Sequence, residues 1–186
     1  GINIFLLFGL STIAIISLVY LIMYVPKFDY IQGRIFSFFN RDTGTHNFQS
    51  DKAIESITSG GFFGKGIGEG TLKNRVPEAH TDYIISVISE EFGVVAIILI
   101  LLLFLIFIYM VFKKINFEKD DKIKLVLIGC VSLILMQATI HIGVNIRLFP
   151  TTGMTLPFLS YGGSSIISIS IISGIILNLT KRKIEN

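Results

Sequence analysis

The sequence predicts an all-α protein, a polytopic membrane helix bundle of about four transmembrane helices joined by one long polar segment. Three observations predict it. Of 186 residues, 52% are hydrophobic and only 16% charged, whereas an ordinary soluble domain is about a quarter charged. The charges sit in blocks, separated by apolar runs longer than an ordinary buried helix. Basic residues cluster beside those runs and the net charge is only +3, which points to membrane topology rather than to nucleic-acid binding. Cys130, the single cysteine, lies inside an apolar run and reads as a small core residue with no intramolecular disulfide.

The elements follow in order. Residues 2–25 carry no charge and end at Pro26, enough to span roughly 30 Å of hydrocarbon at about 1.5 Å per residue. Residues 27–82 differ in kind, with seven basic and seven acidic residues and many glycines. That length exceeds a plain connector, and its aromatics, among them Phe28, Tyr30, Phe36, Phe62 and Phe63, argue against disorder and suit interfacial pieces. The second span is expected over 83–112, the third over 125–146 and the fourth over 154–180. The loop 113–124 holds five lysines and the tail begins Lys181-Arg-Lys; short basic segments stay cytoplasmic, so residues 27–82 and the 147–153 turn are expected outside. Residues 1–186 are read as one membrane domain. The chain opens at Gly1 without Met or signal peptide, so it is expected to be part of a larger protein.

Polar groups within spans are costly and therefore candidate sites. Glu78-Ala-His80-Thr-Asp82 leads into the second span. A helix starting near Thr81 would put Asp82, Ser86 and Ser89/Glu90 on one face, lining a water-filled cleft or protruding from the membrane. Asp82 could equally cap that helix. Gln137, His141 and Asn145 form a stripe four apart on the third span, for which interhelical hydrogen bonding is favoured over metal binding. Pro157 to Ser165 combines proline with Gly162-Gly163 and predicts a broken or re-entrant piece. The glycine-rich run Gly60 to Gly70 follows no clear strand, so a nucleotide fold is disfavoured; Lys73 and Arg75 beside it could meet phosphates.

Those segments carry a resemblance. Ser59-Gly-Gly-Phe-Phe-Gly-Lys-Gly-Ile-Gly, Val76-Pro-Glu-Ala-His-Thr-Asp-Tyr-Ile, Glu90-Glu-Phe-Gly and Thr151-Thr-Gly-Met-Thr-Leu-Pro-Phe-Leu-Ser-Tyr-Gly-Gly-Ser-Ser resemble motifs of the SEDS family (the FtsW, RodA and SpoVE group) in order and spacing. The form Thr152-Gly-Met-Thr-Leu-Pro is closer to the family's division branch than to its elongation branch. The resemblance implies about ten spans, of which this chain holds the last four, and a peptidoglycan glycosyltransferase that polymerises lipid II at the outer face of the bacterial inner membrane, during septal wall synthesis. It places the family's essential acidic residue at Asp82, as general base. Lys73, Arg75, Glu78, His80, Ser160, Gly162, Gly163 and Ser164 are then the substrate-binding candidates, with Lys73, Arg75 or a divalent cation (Mg or Mn) offsetting pyrophosphate charge. The implied partners are lipid II, a class B penicillin-binding transpeptidase and other divisome proteins, with no nucleic acid. Two positions depart from the family: His141 stands where relatives often have Asn, and Thr152 where they often have Lys. A lipid II flippase and a membrane scaffold for the transpeptidase are the alternative functions.

Overall fold

The computed structural model describes residues 4–39, 45–76 and 79–181, which form helices and turns with no strand among them. The chain divides into two compact units, Gly1–Phe48 and Gln49–Asn186.

In the first unit, α1 (Ile4–Tyr24) is followed by a 3-10 turn, Pro26–Phe28, and by α2 (Asp29–Phe39). Pro26 lacks the N–H that would continue α1, and Val25 before it is extended (φ −99°, ψ 117°). Residues 8–24 and 26–36 consequently meet at 88°. On α2 the Arg34 guanidinium lies over the Tyr30 ring, 4.5 Å from its centroid.

The second unit holds α3 (Thr45–Gly60, apart from its first turn), α4 (Leu72–Arg75), α5 (Ile84–Phe117), α6 (Asp121–Asn145) and α7 (Gly163–Thr180). The segment 27–82 therefore contains helices α2, α3 and α4 rather than one polar loop. Helices α5, α6 and α7 are each long and apolar enough to cross a membrane, and the bent pair is a fourth candidate. Their spans differ at the edges from the expected 83–112, 125–146 and 154–180: α5 runs on to Phe117, and α7 begins only at Gly163 because residues 151–162 are irregular. Asp120 caps α6, its carboxylate accepting from the Lys122 N–H at 2.9 Å.

Along the helices an apolar core joins Val111 and Ile115 of α5, Leu127, Val131 and Ile134 of α6, and Ile169 and Ile176 of α7. Large apolar side chains such as Leu105, Leu133, Ile171 and Leu177 point outward instead, as lipid rather than water requires. A second core gathers Ala53 of α3, Leu72 of α4, Val76, Ala79, Tyr83, Val87 and Val144 beneath the Asp82 turn.

Helix α5 is interrupted at Gly93 (φ 78°, ψ −177°), and the glycine-rich loop is spliced into the gap. In a continuous helix Val94 and Val95 would donate to the carbonyls of Glu90 and Glu91. They donate to Gly61 and Phe62 instead, at 3.0 and 3.3 Å, while Glu90 and Glu91 accept from the N–H groups of Lys65 and Gly66, at 2.8 and 3.1 Å. Two ladder bonds are replaced by four, so the break leaves none of these groups unpaired. The approach is too close for side chains: a Cβ on Gly93 would stand 2.2 Å from the Phe62 carbonyl oxygen, and one on Gly64 2.2 Å from that of Glu91.

Gly93→Ala should therefore lower the unfolding free energy in detergent by about 2–4 kcal/mol, from the strained φ and the displaced loop bonds, read by denaturant titration. Gly129→Ala, a helix position with nothing within 4 Å of the added methyl, should leave stability unchanged or raise it by up to about 1 kcal/mol.

Candidate functional site

The three polar clusters of the second unit converge on the turn that precedes α5. Asp82 lies in that turn and not on the helix, and Tyr83 takes the position before the first helical residue. The shared helical face with Ser86 and Glu90 is therefore not formed, and the capping position falls to Tyr83 rather than Asp82. The turn is held by its backbone. The carbonyl of His80 accepts from the Tyr161 N–H at 3.1 Å. That of Thr81 accepts from the Ser160 hydroxyl at 2.7 Å. That of Asp82 accepts from the Asn145 Nδ2 at 2.8 Å. Three successive carbonyls are thus fixed by donors that lie beyond α5 in the chain. The Asp82 Oδ2 faces Gly153; a Cβ built there would lie 3.7 Å away.

Asn145 stands in for a peptide unit. Its Oδ1 accepts from the Ser86 N–H at 3.2 Å and the Ser86 hydroxyl at 2.8 Å, and its Nδ2 donates to the Asp82 carbonyl and to the His141 carbonyl at 2.9 Å. Ser86 N–H to Asp82 carbonyl is the bond that would have extended α5 by one residue, and the carboxamide is inserted between the two groups. The partners decide its orientation, since carbonyls only accept and N–H groups only donate. Asn145 and Ser86 are both fully buried.

The rest of the α6 stripe anchors the irregular segment 151–162. His141 lies 2.8 Å from the Met154 carbonyl through Nδ1, so Nδ1 carries the proton. Its buried Nε2 has no hydrogen-bond partner among the described residues. Gln137 Nε2 donates to the Thr155 carbonyl at 2.9 Å and to the hydroxyls of Thr155 and Ser165 at 3.2 and 3.3 Å. The stripe is an interhelical clamp, the role the sequence favoured. Ser160, 5% exposed, accepts from the Leu156 N–H at 2.8 Å while donating to Thr81. It sets the turn, and it also lines a cavity beside Leu156, Phe158 and Ser165. Backbone strain in this segment lies at Phe158 (φ 68°), while Gly153 takes φ 73° without strain because it has no Cβ. Gly162 is extended (φ −170°), so the Gly-Gly pair does not supply the unusual backbone expected of it. Gly163 and Ser164 are exposed at the start of α7.

Lys73 and Arg75 belong to a different cluster. Glu90, 1% exposed, accepts from Lys65 Nζ at 2.9 Å, from the Thr71 hydroxyl at 3.2 Å and from the Leu72 N–H at 3.0 Å. Lys73 Nζ binds Glu91 Oε1 at 3.0 Å and the Gly68 carbonyl at 2.7 Å. The start of α5 is therefore packed against the glycine-rich loop instead of lining a water-filled cleft, and Lys73 is already neutralised. Arg75, at the end of α4, is exposed, as is His80. Glu78 lies outside the described residues. The structure makes Lys65, Glu90 and Glu91 the ions that hold the loop, and it adds Arg147, which pairs with Asp51 of α3. Arg147 adopts φ 58° in a cap where the Leu148 and Arg147 N–H groups bind the carbonyls of Gly143 and Val144, at 2.7 and 3.0 Å. Among the described residues no three His, Cys, Asp or Glu side chains gather into a metal-holding group.

Beside the irregular segment, an apolar groove of about 330 Å³ runs between Pro157, Phe158 and Leu159 and the α5 side chains Ile100, Leu103, Phe104 and Phe107. Its wall is one a hydrocarbon chain can occupy.

Fold and site together define a multi-pass membrane helix bundle with an acidic turn set beside a broken span. The family model described as "Cell cycle protein", covering FtsW, RodA and SpoVE, matches residues 1–185, and the chain belongs to that family. Curated relatives named "Probable peptidoglycan glycosyltransferase FtsW" include one from Caulobacter vibrioides, 38% identical over 84% of this chain and 40% of its own length. Another, from Geobacter metallireducens, is 35% identical over 98% of this chain and 51% of its own length; one from Enterococcus hirae is 37% identical over 74% and 35%. The chain spans about half the length, or less, of these relatives. A solved chain described as "Structural coordination of polymerization and crosslinking by a peptidoglycan synthase complex" shares the fold, with a TM-score of 0.72 at 24% identity over 94% of this chain and 48% of that one.

Two stability measurements check the clamps. Asn145→Leu leaves the Ser86 N–H and hydroxyl and the Asp82 carbonyl without this partner and should cost about 1–3 kcal/mol, with Asn145→Asp no better because a carboxylate cannot donate to the Asp82 carbonyl. Lys65→Met should cost about 2–4 kcal/mol by stranding buried Glu90, less than for a fully dry pair because Lys65 is 37% exposed. Denaturant titration in detergent reads both.

Proposed function

We propose that this chain carries the catalytic turn of a peptidoglycan glycosyltransferase that polymerises lipid II at the outer face of the bacterial inner membrane during division. The observation that carries the reading is the fixing of carbonyls 80, 81 and 82 by Tyr161, Ser160 and Asn145: one backbone and two side-chain donors from distant residues set the backbone from which Asp82 projects. Family membership and the names of its relatives support the same activity.

Asp82 accepts the proton of an acceptor sugar hydroxyl as that oxygen attacks the donor's anomeric carbon. The new C–O bond forms as the bond to the polyprenyl pyrophosphate breaks, inverting the centre, and the proton on Asp82 then passes to water. Arg75, exposed at the end of α4, suits the departing pyrophosphate better than Lys73, which would have to leave Glu91. His80 and Glu78 precede the base in the same motif, and Gly163 and Ser164 offer open backbone and a hydroxyl close in sequence to Ser160. The apolar groove between α5 and residues 157–159 suits the lipid tail. Among the described residues no three His, Cys, Asp or Glu side chains stand together to hold a divalent cation.

The orientation follows the lysine-rich 113–124 loop and the basic tail, which put the C-terminus in the cytoplasm and the Asp82 turn outside. A class B penicillin-binding transpeptidase and other divisome proteins are the partners this reading carries, at the septum, with the outward apolar faces of α5 and α6 as the membrane surface available to them.

In the full-length protein Asp82→Asn should reduce polymerisation of labelled lipid II by a factor of at least about 10², with an unchanged denaturation midpoint. Retained polymerisation would remove Asp82 as the base, and lipid movement across liposomes without polymer would favour a flippase.

A further inference from the structure

The glycine-rich loop carries three large apolar side chains that the described residues of the second unit leave open. Phe62 is 75% exposed, Phe63 85% and Ile67 80%. They sit on a loop that is otherwise glycine and charge, and whose lysine, Lys65, is turned inward to Glu90. Their height on the molecule is fixed by backbone bonds. The Phe62 carbonyl accepts from Val95 and the Gly61 carbonyl from Val94, and a Cβ on Gly93 would collide with Phe62 itself. That point on α5 is where its charges stop: Glu91 is the last, and no charged residue follows until Lys113. The loop is therefore attached to α5 at the residue where the helix enters hydrocarbon. Phe92 and Val95, the neighbouring side chains on α5, are 44% and 50% exposed and continue the apolar surface into the span.

We propose that Phe62, Phe63 and Ile67 form a lipid anchor, inserted in the membrane interface at the α5 N-terminal end. The occupant is the acyl and headgroup boundary of the bilayer, because the patch is continuous with the exposed apolar face of a helix long and apolar enough to cross a membrane, and because apolar side chains on a tight loop gain by entering that boundary. The anchor holds the loop against the surface, and through the four bonds of the splice it holds the start of α5 at a set depth. It rests on α5 crossing the membrane and not on the glycosyltransferase reading.

Phe63→Trp in the full-length protein, reconstituted in phosphatidylcholine–phosphatidylglycerol nanodiscs, tests this by the difference emission against the unsubstituted protein. The anchor requires emission shifted to the blue and strong quenching when the lipids carry bromine on their acyl chains near the headgroup, approaching that of Tyr109→Trp, a site on the apolar stretch of α5 that is 67% exposed. Ile67→Trp must behave in the same way, and serves if the first variant does not fold. Water-like emission, open to acrylamide and insensitive to brominated lipid, overturns the proposal. Blue-shifted emission that brominated lipid leaves untouched overturns it too, by placing the patch against protein.

Discussion

The interruption of α5 at Gly93 is the constraint on which the second unit depends. An α-helix entering a bilayer has no water to satisfy a broken ladder, so a break there must be filled by other backbone. The chain fills it with its own glycine-rich loop, and only glycine allows the two backbones to approach so closely. Everything upstream of the break is thereby bound to everything downstream. Glu90 is buried because the loop closes over it, Lys65 and Thr71 are drawn in to meet its charge, and α4 is set against the start of α5 through the Leu72 N–H.

The same solution recurs earlier along the chain, at the start of α5. There the Asn145 carboxamide occupies the place of a peptide group between Asp82 and Ser86. In both places a regular ladder is opened and an outside donor–acceptor pair is inserted, so the helix stops or bends without orphaned groups. The Asp82 turn is thus defined from both directions, by α6 on one side and by residues 160–161 on the other. A side chain carried on a turn whose backbone is fixed in this way springs from a set Cα position.

Much of this is legible in the residues. Apolar runs bounded by charge place α5 and α6, since a bilayer imposes a length that composition records. The spacing of Gln137, His141 and Asn145 puts three polar groups on one face, and Pro157 with Gly162 marks the irregular stretch before α7. Other features leave no local trace. The pairings Lys65–Glu90 and Lys73–Glu91 join positions 25 and 18 residues apart, and no periodicity encodes which lysine meets which carboxylate. Lys73 accordingly reads as a phosphate ligand, and the polar face of α5 as a cleft. The helices within 27–82 carry mixed charge and weak periodicity, so turn-rich composition outweighs them. Whether Asp82 begins the helix or precedes it turns on a boundary of one or two residues, and boundaries are where tertiary contacts such as the Asn145 insertion override local preference.

The long reach of the bonds around the turn has a consequence for how the protein is made. Asp82 leaves the ribosome well ahead of Asn145, and further still ahead of Ser160 and Tyr161. When α5 enters the bilayer, none of the three donors that shape the turn yet exists as folded chain. The turn can take its final geometry only after α6 has crossed back and the irregular segment has docked. Biogenesis therefore has a fixed order: α6 must be threaded and residues 160–161 docked before the acidic group is set, and a nascent or truncated chain lacking them holds the right residue without the right shape.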